Sequence, residues 1–245
     1  PLHPLSLIPQ HLPSHPINHC QKMTNPQRLK IHISAEIGEI SALLLLPEKA
    51  TALLVLSHGA GANMEHSFME MLAQRLAAHG VGTLRFNFPY MEKGGGPPDR
   101  PKVAHPAVIA AVNKASGYAK GRKLLAGGKS FGGRMTSQVA AQGDLKEVAG
   151  IVYYGFPLHT PGKPSTERAA HLSAIEAPQL FLQGTRDALA DFDLIQKVCQ
   201  QLKQATLIKM EGGDHSFKTL KNTGITHEEA IEQLARETAR FAAGL

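Results

Sequence analysis

Gly128-Lys129-Ser130-Phe131-Gly132 carries the pattern Gly-x-Ser-x-Gly, the signature of a sharp turn between a strand and a helix that holds a serine hydroxyl out for nucleophilic attack. A serine in such a turn needs flanking residues without bulk, because the strand and the helix approach too closely for a Cβ. Gly128 and Gly132 leave that room, and Gly133 adds more. The surroundings suit the turn. Residues 122–127 (Arg-Lys-Leu-Leu-Ala-Gly) read as a short buried strand, and residues 131–142 carry Met135, Val139 and Ala140 at helical spacing. A rival reading makes Gly128-Lys129-Ser130 the end of a phosphate-binding G-x-x-x-x-G-K-[ST] loop, but that loop needs glycine at position 123, where the chain has Lys123.

A nucleophilic serine requires a base, and the base requires an acid to orient it, here in the chain order Ser, Asp, His. Residues 179–183 (Gln-Leu-Phe-Leu-Gln) form a strand candidate, and the loop after it, Gly184-Thr185-Arg186-Asp187, offers Asp187 as the acid. Asp191 and Asp193 compete for that role, although Asp191 reads as the N-cap of the next helix. Residues 205–210 form the following strand candidate, and Glu211-Gly212-Gly213-Asp214-His215 places His215 in the loop beyond it as the base. Asp214 reads as a turn-stabilising neighbour. Acyl transfer also needs backbone N–H groups aimed at the developing oxyanion. Phe131, next after the serine, is one donor. The other is expected in the small-residue loop His58-Gly59-Ala60-Gly61-Ala62 that follows the strand at 51–57, where Ala60 best matches the position and His58 reads as structural.

On these residues the chain resembles an α/β-hydrolase of the dienelactone-hydrolase-like kind. Within that group it is similar to a branch of small bacterial hydrolases related to a testis-expressed animal protein and to a subunit of the animal non-specific-lethal chromatin complex. The points of resemblance are Ser57 to Ala62, Arg85-Phe86-Asn87-Phe88-Pro89-Tyr90, Gly127 to Arg134, and the Asp187 and His215 loops, within a stretch covering roughly residues 29–245. The resemblance implies a mostly parallel sheet of about eight strands with helices on both faces, and hydrolysis of a small carboxylic ester or thioester without metal or organic cofactor. A hydrolase-fold interaction protein with little turnover is the alternative. The intact set of Ser130, Asp187 and His215 argues against it, since a binding module has no physical need of all three.

The remaining pattern alternates strand and helix as a parallel sheet requires. Strand candidates lie at 29–35, 39–46, 51–57, 81–88 and 147–154, and helix candidates at 65–79, 103–118 and 191–202. A last helix opens with the capping box Thr226-His227-Glu228-Glu229 and presents Ile231, Leu234, Thr238 and Phe241 on its inner stripe. Only about 23 residues, 156–178, separate the strand at 147–154 from the one leading to Asp187, too few for a large helical lid. The loop 91–102 holds Gly94-Gly95-Gly96-Pro97-Pro98 between Lys93, Arg100 and Lys102. It reads either as a flexible surface loop or as a cationic rim that attracts acidic or carboxylate-bearing esters.

Composition fits one domain over residues 23–245: 42% hydrophobic residues in a 245-residue chain suffice for one large core. Apolar stretches such as 42–46 are far too short to cross a bilayer. Two cysteines, Cys20 and Cys199, make no disulfide framework, and with no secretory signal evident a cytoplasmic location is expected. The formal charge of +6 comes from scattered residues without a long Lys/Arg run, so a nucleic-acid partner is not expected. Residues 1–22 differ from the rest. Pro1, Pro4, Pro9, Pro13 and Pro16 lead to the expectation of an extended, mobile leader or of a translated upstream stretch ahead of a natural start at Met23, and Pro13 and Pro16 argue against the helix on which His11, His15, His19 and Cys20 would form a metal-binding stripe.

Overall fold

The computed structural model describes residues 25–245; the leader at 1–22, with its histidines and Cys20, lies outside the described residues. Eight strands form one sheet: β1 (Gln27–Ser34), β2 (Gly38–Leu45), β3 (Ala52–Ser57), β4 (Val81–Phe86), β5 (Lys123–Lys129), β6 (Gly150–Tyr154), β7 (Gln179–Gly184) and β8 (Ala205–Met210). Their spatial order is β1-β2-β4-β3-β5-β6-β7-β8. The β1–β2 and β2–β4 pairs are antiparallel, and every pairing from β4 through β8 is parallel. Strand order reverses between β3 and β5. Such a switch point leaves a crevice at the carboxyl ends of the two strands, since the loops leaving them turn to opposite faces.

The period-2 alternation of the strands sorts the core into two layers. Leu54 and Leu56 of β3, with Leu125, Val152 and Leu182, face α1 (Ser67–Ala78) and the last helix, His227–Gly244. Leu53 and Val55, with Leu84, Ala126 and Phe181, face the opposite layer of helices. Between these ends of the chain lie α2 (Pro89–Glu92), α3 (Pro101–Ala119), α4 (Phe131–Ala141) and α5 (Phe192–Gln201), which makes the last helix α6. In α1 the residues Phe68, Leu72 and Leu76 repeat every fourth position and are buried, as an amphipathic helix demands. The capping box at Thr226 forms as the sequence indicates, with Glu229 N–H donating to the Thr226 hydroxyl and the Glu229 carboxylate accepting from Thr226 N–H.

Several boundaries differ from the sequence pattern. The strand entering the serine turn runs on through Gly127 and Gly128 to Lys129. The strand candidate at 81–88 stops at Phe86, because Pro89 takes the first position of the one-turn helix α2. Pro101 likewise takes the first position of α3, where a missing N–H costs nothing, so this helix begins two residues earlier than its apolar periodicity suggests. No large lid is present: 156–178 carry only the short 3-10 turns Glu167–Ala169 and Leu172–Ala174 and a bridge between Thr160 and Lys163. Among the described residues no helix is long and apolar enough to cross a membrane.

Candidate active site

Ser130 stands between the end of β5 and the first turn of α4, with φ 50° and ψ −113°, a conformation that non-glycine residues rarely adopt. Holding it costs on the order of 1–3 kcal/mol, a strain typical of sites where a side chain must be presented at a fixed angle. The two motif glycines make the turn possible. A Cβ on Gly128 would lie 2.1 Å from Ser57 Oγ, and one on Gly132 would lie 2.6 Å from the carbonyl oxygen of His58. The end of β3 and the start of α4 therefore cross within the space a side chain would occupy.

Three loops at the carboxyl ends of β5, β7 and β8 bring Ser130, Asp187 and His215 together. Ser130 Oγ is 2.8 Å from His215 Nε2, and His215 Nδ1 is 2.7 Å from Asp187 Oδ2. With the imidazole proton on Nδ1, His215 donates to the carboxylate and accepts from the serine hydroxyl. Asp187 is fixed by further donors: Gln183 Nε2 at 2.6 Å on Oδ2 and the N–H of Leu189 at 2.8 Å on Oδ1. Gln183 is itself held, since its Oε1 accepts from Phe156 N–H. This buried glutamine at the end of an apolar strand went unread in the sequence. Asp191 caps α5 by accepting from Leu194 N–H, and Asp193 lies in the first turn of that helix. Asp214 accepts from the N–H groups of Ser216 and Lys218, which closes the turn carrying His215.

Ala60 and Gly61 form the corner of a turn closed by Ala62 N–H on Gly59 O, and Gly61 has φ +72°, as a type II turn requires at its third residue. Gly61 N–H donates to Tyr90 Oη. The N–H groups of Ala60 and Phe131 have no protein acceptor among the described residues, so both are free to receive an anionic oxygen. His58 anchors the base of this loop. Its Nδ1 donates to Gly59 O at 2.8 Å and its Nε2 accepts from Phe88 N–H at 3.0 Å, a pattern only the neutral imidazole can make. Burial lowers its pKa to about 4. Unfolded, this histidine titrates near 6.5, so its contribution to stability is complete above that pH and is lost as pH falls from 6.5 through about 4. We expect a loss on the order of 3 kcal/mol across that window from this group alone, and His58→Asn should remove most of that part of the acid dependence in denaturant melts.

A cavity of about 540 Å³ opens at Ser130 and His215. Its wall includes Ala60, Phe68, Lys129, Lys218 and His227. None of Lys93, Arg100 and Lys102 lines it: Lys93 ends α2, Arg100 caps α3, and Lys102 sits in the first turn of α3. Another hollow of similar size, about 530 Å³, lies between β1 and α3 and holds none of the residues above.

Lys129 is the unexpected member of the site. Its Nζ is buried without a hydrogen-bond partner among the described residues and lies 5.5 Å from the centre of the Phe217 ring. Burial pushes its pKa down to about 8, against an upward pull from Asp187 and Asp214. The ammonium form therefore costs the fold on the order of 3 kcal/mol at neutral pH, a cost that disappears as pH rises from 8 through 10.5. The sequence displays Lys129 in the middle of its most informative motif, yet nothing in the pattern tells that its amine is enclosed.

The fold agrees with the comparisons. Residues 50–243 match a family described as an alpha/beta hydrolase domain, and the chain belongs to that family. It is a hydrolase by class. Its fold is similar to an alpha-beta serine hydrolase homologue from Coxiella burnetii, at 21% identity and a TM-score of 0.69 over 89% of this chain and 99% of that one. It is also similar to a serine hydrolase without lid from Xanthomonas campestris, at 21% identity and a TM-score of 0.66 over 88% and 95%. A dienelactone hydrolase from Anabaena variabilis matches at 18% identity and a TM-score of 0.66 over 89% and 97%.

Proposed function

We propose that the protein hydrolyses a small carboxylic ester or thioester through an acyl-enzyme on Ser130. The observation that carries this reading is the continuous pair of hydrogen bonds from Ser130 Oγ to His215 to Asp187, at 2.8 and 2.7 Å. Ser130 Oγ attacks the acyl carbon while His215 Nε2 takes its proton, and the carbonyl π pair moves onto oxygen. The N–H groups of Ala60 and Phe131 receive that oxyanion. Collapse of the intermediate breaks the bond to the leaving alkoxide or thiolate, which takes the proton from His215. Water then gives a proton to His215 and attacks the ester carbon, and the bond to Ser130 Oγ breaks as the proton returns to it. Asp187 stays ionised throughout, holding the imidazole tautomer and stabilising the imidazolium. Each step uses only these groups and water, so the proposed route calls for no metal or organic cofactor.

The short 156–178 connection leaves the cavity open, which suits small substrates. A panel of acetyl to hexanoyl esters and their thioesters tests the reading. We expect turnover across this panel, since even the hexanoyl chain is far smaller than a cavity of about 540 Å³, with one bond class preferred. Absence of turnover across both bond classes would contradict the proposal and leave an interaction protein on a hydrolase fold.

A further inference from the structure

A buried donor without an acceptor requires an explanation, and a buried ammonium more than most. Lys129 Nζ has none among the described residues, and Lys129 is one of the residues lining the cavity beside Ser130. The backbone around it is drawn close. A Cβ on Gly155 would stand 3.2 Å from Lys129 Nζ, 3.5 Å from Asp187 Oδ2 and 3.6 Å from His215 Cε1, so the ammonium shares one glycine with the catalytic carboxylate and imidazole. The two hydrogen bonds that Gln183 and His215 donate to Asp187 Oδ2 leave the lysine no direct bond to that oxygen.

Of the other ionisable side chains in the wall, Lys218 is a second lysine and His66, His215 and His227 are imidazoles, and among the described residues no aspartate or glutamate lines the cavity. Asp187 and Asp214 act on Lys129 through space from behind the wall. A cavity with this lining attracts anions and repels cations, and its low-dielectric walls strengthen both effects. The four-carbon stem of lysine swings its charge by rotation about single bonds, so Nζ can reach an anion that enters the cavity.

We propose that Lys129 is a specificity-determining residue that receives a carboxylate on the acyl part of the substrate, which makes the preferred substrate a half-ester or half-thioester of a short dicarboxylic acid. This rests on the acyl-enzyme reading of Ser130. Lys129 and Ser130 are successive residues, so the carboxylate and the scissile carbonyl lie a few bonds apart in one small molecule. Lysine is the fitting residue, since a compact ammonium matches a single carboxylate. It also has the thermodynamic signature of a functional group: it destabilises the fold in the absence of its ligand.

The test compares monoethyl glutarate with ethyl valerate, which share chain length and differ in the terminal carboxylate. In the wild type the half-ester should have the higher kcat/KM, and the ratio should shrink as salt rises. Lys129→Met should lower that ratio at least tenfold, mainly through KM for the half-ester, and should raise the melting temperature at pH 7. A residue with only a structural role would lower the melting temperature and leave the ratio alone. Changing Lys93, Arg100 and Lys102 to glutamine should leave the ratio within threefold; a fall as large as at Lys129 would move the determinant outside the cavity and overturn the assignment. If Lys129→Met does not fold, the wild type still decides. Glutarate should slow fluorophosphonate labelling, whereas pentane-1,5-diol at the same concentration should not, and equal effects would overturn the proposal. Labelling that persists with an unmoved ratio rejects Lys129 alone, while a wild type that neither labels nor turns over rejects the hydrolase reading with it.

Discussion

Ser130→Ala should lower kcat for ester hydrolysis by on the order of 10⁵ while leaving the folded structure in place. The substitution removes the one oxygen whose protein partner is His215 Nε2, at 2.8 Å. The fold should survive because the strained backbone at Ser130 is imposed by Gly128, Gly132 and the crossing of β3 with α4. Alanine has a Cβ of the same size and accepts the turn on the same terms. Melting curves and far-UV circular dichroism check the second half of the expectation. Residual activity within a hundredfold of the wild type would show that the nucleophile lies elsewhere.

Asp187→Asn should lower kcat by on the order of 10⁴, and the reason lies in how its carboxylate is held. Three donors converge on two oxygens: Gln183 Nε2 and His215 Nδ1 on Oδ2, and Leu189 N–H on Oδ1. An amide cannot satisfy this arrangement in either orientation, because its NH₂ group must face a donor. The group best able to yield is His215, by moving its proton to Nε2, which leaves no lone pair to accept from Ser130. Asp191→Asn and Asp193→Asn should each cost less than tenfold, since Asp191 caps α5 and Asp193 lies in the same first turn. Steady-state kinetics on one ester across the three variants separates them, and the largest loss at Asp191 or Asp193 would reassign the acid.

Both expectations start from features visible in the sequence. The glycines around Ser130 are legible because a nucleophile turn has a steric requirement that few residues meet. Asp187 and His215 are legible because each follows a compact apolar strand, and parallel strands deliver their carboxyl-end loops to one edge of the sheet. The part that escaped the sequence depends on packing across the sheet. Gln183 looks like the polar end of a strand until its amide is seen bridging Phe156 and Asp187. The basic loop at 91–102 looks like a rim because its charges are dense. Yet Pro101 starts α3 at once and draws Arg100 and Lys102 into the cap and first turn of that helix, and neither lines the cavity. Lys129 shows the same limit from the other side: its position is plain, and its burial is a property of Gly155 and Phe217, which lie far along the chain.

The fluorophosphonate adduct, located by peptide mass spectrometry, tests the central claim most directly. Attack by an activated serine is required for rapid phosphonylation, so the account predicts one adduct per chain, on Ser130, formed at a rate that collapses in His215→Ala and is absent in Ser130→Ala. An unmodified Ser130 under conditions that label serine hydrolases, or an adduct on another residue, would contradict it.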